Sequence, residues 1–320
     1  MPTTPNARWN DARAMNAQLI ATQVLNGLQL GILLFLMSAG LTLVFGIMNF
    51  VNLAHGSLYM MGAYLAAAML GAFDSFLLAL LLAVPATILI GLAVDRLVLA
   101  GLYTRDHLDQ VLATFGLILV FNEIVRFAWG PAPVYINVPR ALSGTVELFG
   151  FPYPAYRFAI IAVGLAAGLA LYVLINRTRV GMLIRAGAAD AEMVGAMGVN
   201  IRLLNALIFG VGAGLAGLAG VMAGPILSVQ PGMGEPVLVL TLVVIVTGGI
   251  GSIRGAFHGA LLVGLIDTLG RAFLPAVFDA LASKAFAQAA GPAVASMLIY
   301  LLMALVLAMR PHGLFPVRHA

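Results

Sequence analysis

Long apolar runs separated by brief polar breaks fill the chain from Leu19 to Met309. Nine stand out by length and flanks, near 19–45, 54–72, 74–99, 111–128, 158–175, 203–223, 237–250, 256–274 and 293–309. A helix spans the hydrocarbon core with ~20 such residues. The pattern therefore predicts an all-α polytopic membrane protein of eight or nine transmembrane helices, with broken or re-entrant segments. The run at 237–250 is short and reads equally as re-entrant, which would leave eight crossings. Three regions are expected: a polar N-terminal tail over 1–18, one transmembrane domain over 19–310 and a tail over 311–320.

Two polar interruptions are longer than the rest. Residues 129–157 hold five prolines, with Trp129 and three tyrosines suited to a membrane interface. Residues 176–202 carry Arg177, Arg179, Arg185 and Arg202, which the positive-inside rule assigns to the cytoplasm. Counting onward puts Arg254, Arg310 and Arg318 on the same side. Counting backward adds Arg96 and Arg105, and leaves the proline-rich loop outside. The same count leaves the N-terminus outside despite Arg8 and Arg13.

Composition supports the membrane reading. Only 9% of residues are charged and 62% are hydrophobic, against ~25% charged in a soluble domain. The net charge of +4 comes from arginines at segment ends, so it points to membrane orientation and away from nucleic acid. With no cysteine there is no disulfide, thiolate metal site or thiol catalysis. The one lysine, Lys284, follows Ser283 rather than a glycine-rich turn, so ATP hydrolysis by this chain is not expected. No HExxH, GxSxG or helical carboxylate pair is present. No catalytic residue, metal site or cofactor is expected, and the chain does not read as an enzyme.

Candidate functional residues lie where polar groups interrupt the apolar runs. Between Gly46 and Gly56, Asn49, Asn52 and His55 stand with no aqueous loop's worth of polar neighbours. Non-helical backbone at membrane depth survives only where protein or a water-filled cavity satisfies it, and such breaks mark substrate sites in transporters. The alternative is a surface turn in which His55 and the asparagines cap helix ends. Asn122 and Glu123 with Arg126, and Asp267 with Arg271, place ionisable groups inside apolar runs. Each acid has an arginine three or four residues away, so either self-neutralising pairs or a polar pathway fits. Asn49, Asn52, His55, Asn122, Glu123 and Asp267 are the translocation-path candidates.

Two glycine-rich stretches are read structurally. Gly210/Gly214 and Gly220/Gly224 are GxxxG pairs that let helices approach closely, within the bundle or against a partner. Gly248–Gly255 lacks the third glycine and the βαβ setting of a dinucleotide site, and reads as a tight turn.

Residues 185–200 predict a short helix with small and apolar residues on one face, early acids and a glycine end. That make suits docking into a groove on a partner protein. An interfacial helix in lipid headgroups would favour Lys and Arg where Asp190 and Glu192 stand.

This loop resembles the cytoplasmic coupling loop of branched-chain amino acid ABC-transporter permeases of the LivH type. So do NFVNLAHGSLYMMGAY at 49–64 and GGIGSIRGAFHG at 248–259. The similarity runs from about Leu19 to the tail RPHGLF at 310–315. It implies a multi-pass permease of the cell inner membrane, in contact with membrane lipid, that forms the translocation path of an importer for branched-chain or related small amino acids. The implied partners are a second homologous permease, two cytoplasmic ATP-binding subunits and a periplasmic binding protein. ATPase coupling would fall on Arg185, Ala189, Asp190, Glu192, Met193, Gly195, Gly198 and Asn200. Ala189-Asp190-Ala191 stands where the general pattern has Glu-Ala-Ala. Relatives for urea, short amides or other small solutes are the alternative cargo class. An ion-coupled secondary transporter and a membrane scaffold are the alternatives of mechanism.

Overall fold

The computed structural model describes the backbone of residues 5–148, 151–281 and 284–316, with side chains over 18–148, 151–279 and 290–316. Arg318 and the side chains of Arg8, Arg13 and Lys284 lie outside the described residues. Eleven α-helices occur among them: α1 (Pro5–Met48), α2 (His55–Phe73), α3 (Phe76–Leu97), α4 (His107–Trp129), α5 (Ala155–Arg177), α6 (Arg179–Ala189), α7 (Ala191–Ala196), α8 (Ile201–Ala223), α9 (Gly234–Gly248), α10 (Ile253–Leu281) and α11 (Lys284–Met309). Eight are long and apolar enough to cross a membrane, and they follow the eight longer runs of the sequence. At 15 residues, α9 rises about 22 Å, short of the ~30 Å core.

The sequence pattern predicts no strands, but the proline-rich loop contains a hairpin of β1 (Thr145–Leu148) and β2 (Phe151–Pro154). This loop is anchored at three places. Val134 pairs with Val229 through two backbone bonds, Tyr153 donates to Asn26 of α1 at 3.1 Å, and Tyr156 donates to the Met222 carbonyl at 2.9 Å.

Burial sorts the helices into a centre and a ring. Residues 31–44 of α1 are buried without interruption, and most of α8 is buried too. By contrast α3, α4, α5 and α11 expose leucine and phenylalanine, among them Leu77, Leu89, Leu112, Phe127, Leu169 and Leu305. Lipid-facing positions carry such residues without cost. Lipid also supplies no hydrophobic drive between helices, so central packing must come from close van der Waals contact. A Cβ on Gly40 would stand 2.8 Å from the Gly212 carbonyl. A Cβ on Gly220 would stand 2.0 Å from the Tyr59 carbonyl and 3.1 Å from the Ala63 nitrogen. The GxxxG stretch is thus used to bring α8 onto α1 and α2 within the chain.

Segments that the arginine count puts on one side gather at one end of the bundle. The Val51 N–H donates to Gln110 at 3.3 Å, and Phe50 meets Tyr103 edge-on at 5.3 Å. Gly46 abuts Gly251. Gly249 and Gly251 take φ of +112° and +81°, as the tight turn requires. The tail then caps this turn, with the Leu314 and Phe315 N–H groups donating to Thr247 and Gly248 carbonyls at 3.0 and 2.9 Å. Two carbonyls that the end of α9 would otherwise leave open are satisfied this way.

Gly220→Leu should destabilise the folded protein by about 1–3 kcal/mol or more, because rigid backbone rather than a movable side chain occupies the space. Gly71→Ala, whose Cβ meets nothing within 4 Å, should hold or raise stability by about 0.5–1 kcal/mol. Thermal denaturation of the purified variants in detergent reads both, and equal behaviour would contradict the packing described.

Candidate functional site

The break between α1 and α2 is built into the interior. Asn49 ends α1 with a left-handed φ of +48°, its N–H donating to Phe45 at 3.0 Å. Asparagine is one of the few residues that tolerates this ending. Phe50 is fully buried and Asn52 is 1% exposed. His55 then opens α2, also 1% exposed, with Nε2 3.2 Å from the Met37 carbonyl. A carbonyl only accepts, so Nε2 carries the proton.

Side-chain capping does not account for Asn52 or His55. No side chain caps α2, and neither the oxygen nor the nitrogen of the Asn52 amide has a hydrogen-bond partner. A buried polar group left unpaired costs about 1–3 kcal/mol. Asn52 is therefore the residue at this break whose presence packing does not explain.

A second helix start adjoins the first. Gly234, which opens α9, lies against the backbone of Gly56, so neither position has room for a Cβ. Beside it, Asn122 of α4 accepts from the Gly232 N–H at 3.0 Å and donates to Glu235 Oε1 at 2.7 Å. Glu235 Oε2 is buried with no hydrogen-bond partner. Glu235 is absent from the candidates read in the sequence. It lies just ahead of the apolar run drawn at 237–250, where an acid passes for the end of a loop.

The other path candidates are not brought to this break. Glu123 and Arg126 form an ion pair at 2.9 Å on the outward face of α4, their side chains 68% and 55% exposed. Asp267 is buried in α10, and Arg271 Nε lies 2.9 and 3.0 Å from its two oxygens. Both acids are neutralised by the arginine on their own helix. Asn52 and His55 belong together, and Asn122 joins the adjoining α9 start.

The loop at 176–202 folds into two helices, where the sequence pattern predicts one. Asp190 takes an extended conformation, ends α6 and caps α7 by accepting from the Met193 N–H at 2.8 Å. A side chain that bonds the backbone two or three residues ahead competes with helix continuation, which explains the break. Gly198 leaves α7 with φ +86°, and Asn200 caps α8 through the Leu203 N–H at 3.1 Å. Ile184 and Val194 pin the pair to the bundle. Ala189, Asp190 and Glu192 face out, with Met193 and Met197 59% and 77% exposed. Gly195 is half-buried against Ile201. Arg185 is exposed as well, and its guanidinium donates to the Ile175 carbonyl near the end of α5.

Between this loop and the bundle lies a cavity of about 970 Å³. Its wall combines the end of α1 (Thr42–Asn49), α6 (Ile184–Ala189), the α9–α10 turn and the tail at Pro311, His312 and Pro316.

Comparison with known proteins assigns the chain. Residues 23–307 match the family model described as branched-chain amino acid transport system, permease component. The chain is 31% identical over 264 residues to the high-affinity branched-chain amino acid transport permease BraD of Pseudomonas aeruginosa, covering 78% of this chain and 85% of that protein. It is 31% identical to LivH of Salmonella typhimurium over 79% of this chain and 86% of the relative. It is 24% identical to the ribose import permease RbsC of Escherichia coli over 72% of each. No solved structure matches it. With its multi-pass helical bundle, the chain belongs to the family of branched-chain amino acid transport permease components, membrane transport proteins rather than enzymes.

Proposed function

We propose that this chain is the inner-membrane permease subunit of an ABC importer and forms the path for branched-chain or related small amino acids. Energy comes from two cytoplasmic ATP-binding subunits docked on the α6–α7 loop. A second homologous permease completes the path, and a periplasmic binding protein delivers the cargo. The loop at 176–202 and the tail face the cytoplasm.

The observation that carries this reading is the α6–α7 pair. It is pinned from within by Ile184 and Val194, yet presents Ala189, Asp190, Glu192, Met193 and Met197 outward. Exposed methionines adapt to a partner's groove, and the flanking acids give the surface a sign. The ion pairs at Glu123 and Asp267 take those two acids out of the relay of free intramembrane acids that an ion-coupled carrier uses, leaving Glu235, bonded to Asn122, as a buried acid beside the break. The path runs past Asn52 and His55, where the α2 and α9 starts meet at Gly56 and Gly234. The cargo follows the branched-chain amino acid transport for which the relatives at 31% identity are named.

Two experiments test it in the assembled importer, reconstituted with its partners and supplied with labelled leucine. Replacing Asp190 and Glu192 together with Arg should abolish ATP-driven uptake while membrane insertion persists. The Asp190→Asn/Glu192→Gln variant keeps a capping oxygen but loses both charges. It should lower uptake as well, and full uptake by it would remove the acids from the coupling role.

Asn52→Leu replaces the unpaired amide with an apolar group of similar size. Uptake should fall about ten-fold or more, equivalent to about 1.4 kcal/mol at the transport barrier. Thermal stability should hold or rise, since the variant removes an unsatisfied buried group. Unchanged uptake would take Asn52 out of the path, and co-purification with the ATP-binding subunits separates a blocked path from a lost partner.

A further inference from the structure

The cavity behind the α6–α7 loop has a chemistry that the coupling role of that loop leaves unused. Its polar wall consists of Arg185, His312 and Asn49. Among the described residues no aspartate or glutamate lines it, while Leu43, Ile184 and Leu307 supply apolar wall. A guanidinium offers five N–H donors, of which the Ile175 carbonyl engages Nη1.

Pockets of ~300–1,000 Å³ with a mostly apolar lining and a few convergent polar groups are the usual form of small-molecule sites. At about 970 Å³ this one lies at the roomy end. A guanidinium without a competing acid selects a carboxylate, and the apolar wall suits an aliphatic group attached to it.

We infer that this cavity is a cytoplasmic binding site for small aliphatic carboxylates, with Arg185 as the anchor and the imported amino acid as its occupant on release. The inference rests on the permease reading above, in its direction and in the side assigned to the loop. Arg185 is a positioning and binding residue here, held in α6 and tied to the end of α5. Movement of the loop thus reaches the bound carboxylate through one side chain.

The absence of cysteine from the chain makes the test specific. Ala188→Cys places a single thiol on the cavity wall, and maleimide labelling of that peptide is followed by mass spectrometry in inverted membrane vesicles carrying the assembled importer. Leucine and 4-methylpentanoate, which share a carboxylate, should slow labelling about ten-fold at ten times their Kd. Leucinamide, which keeps the amine and lacks the carboxylate, should not. Adding Arg185→Gln should abolish the protection while labelling without solute continues.

Equal protection by leucinamide overturns the inference, as does protection by neither carboxylate or protection that survives Arg185→Gln. Labelling that starts only after delipidation, with no effect of solute, assigns the cavity to lipid and also overturns it. Leucine uptake by the unmodified importer is measured separately. Loss of carboxylate protection beside intact uptake defeats this inference alone, whereas protection without leucine uptake defeats the cargo assignment.

Discussion

A bilayer offers the peptide group nothing to bond with, so every N–H and C=O at membrane depth must find its partner inside the protein. That constraint shapes this molecule around the break at Asn49–Ala54. The chain leaves one helix and starts another there, enclosed by Leu41 of α1 and Leu238 and Ile245 of α9 packed with Leu53, while Gln110 of α4 accepts from the Val51 N–H. The glycines of α8 make the enclosure possible by letting backbone lie on backbone at Gly40, Gly62 and Tyr59. The short α9 obeys the same rule at both ends. Asn122 accepts from the N–H of Gly232 just ahead of it, and the tail closes Thr247 and Gly248 behind it.

Interactions contained in one helix were legible in the sequence. Glu123 with Arg126 and Asp267 with Arg271 sit three and four residues apart, where helical geometry alone brings side chains together. The eight long helices were legible for a similar reason, since their length and apolarity answer to one fixed thickness. Gly248–Gly255 read as a tight turn, and it is one.

What escaped the sequence depends on pairing across distance or on a single residue's local choice. Asn122 and Glu235 are separated by 113 positions, and no periodicity links them. The tail that caps α9 lies more than sixty positions beyond it, and its prolines suggest only that a helix has ended. Asp190 had been read as an early acid on a continuous helix. It breaks that helix instead, because its carboxylate reaches the Met193 N–H and stabilises a fresh start. The two asparagines of the break looked alike in sequence yet do different things. Asn49 is explained by its left-handed backbone, and Asn52 by nothing in the packing.

The relation between cavity and cargo carries the last step. The chain is similar in sequence to the ribose import permease over 72% of that protein's length, although a sugar and a branched-chain amino acid have little surface chemistry in common. A fold that serves both need not build its selectivity into every wall. Here the cavity is wide for an amino acid and its polar groups are few. Selection among side chains fits poorly with such a space, because one methylene in even a close-fitting pocket discriminates by only ~1–3 kcal/mol. Recognition of a shared carboxylate asks less of it. Arg185 meets that demand from the loop that the proposed ATPase contact would move, so the strongest ligand contact and the moving element are the same piece of chain. In the proposed importer specificity then belongs upstream, at delivery, while the permease supplies a path and a means of letting go.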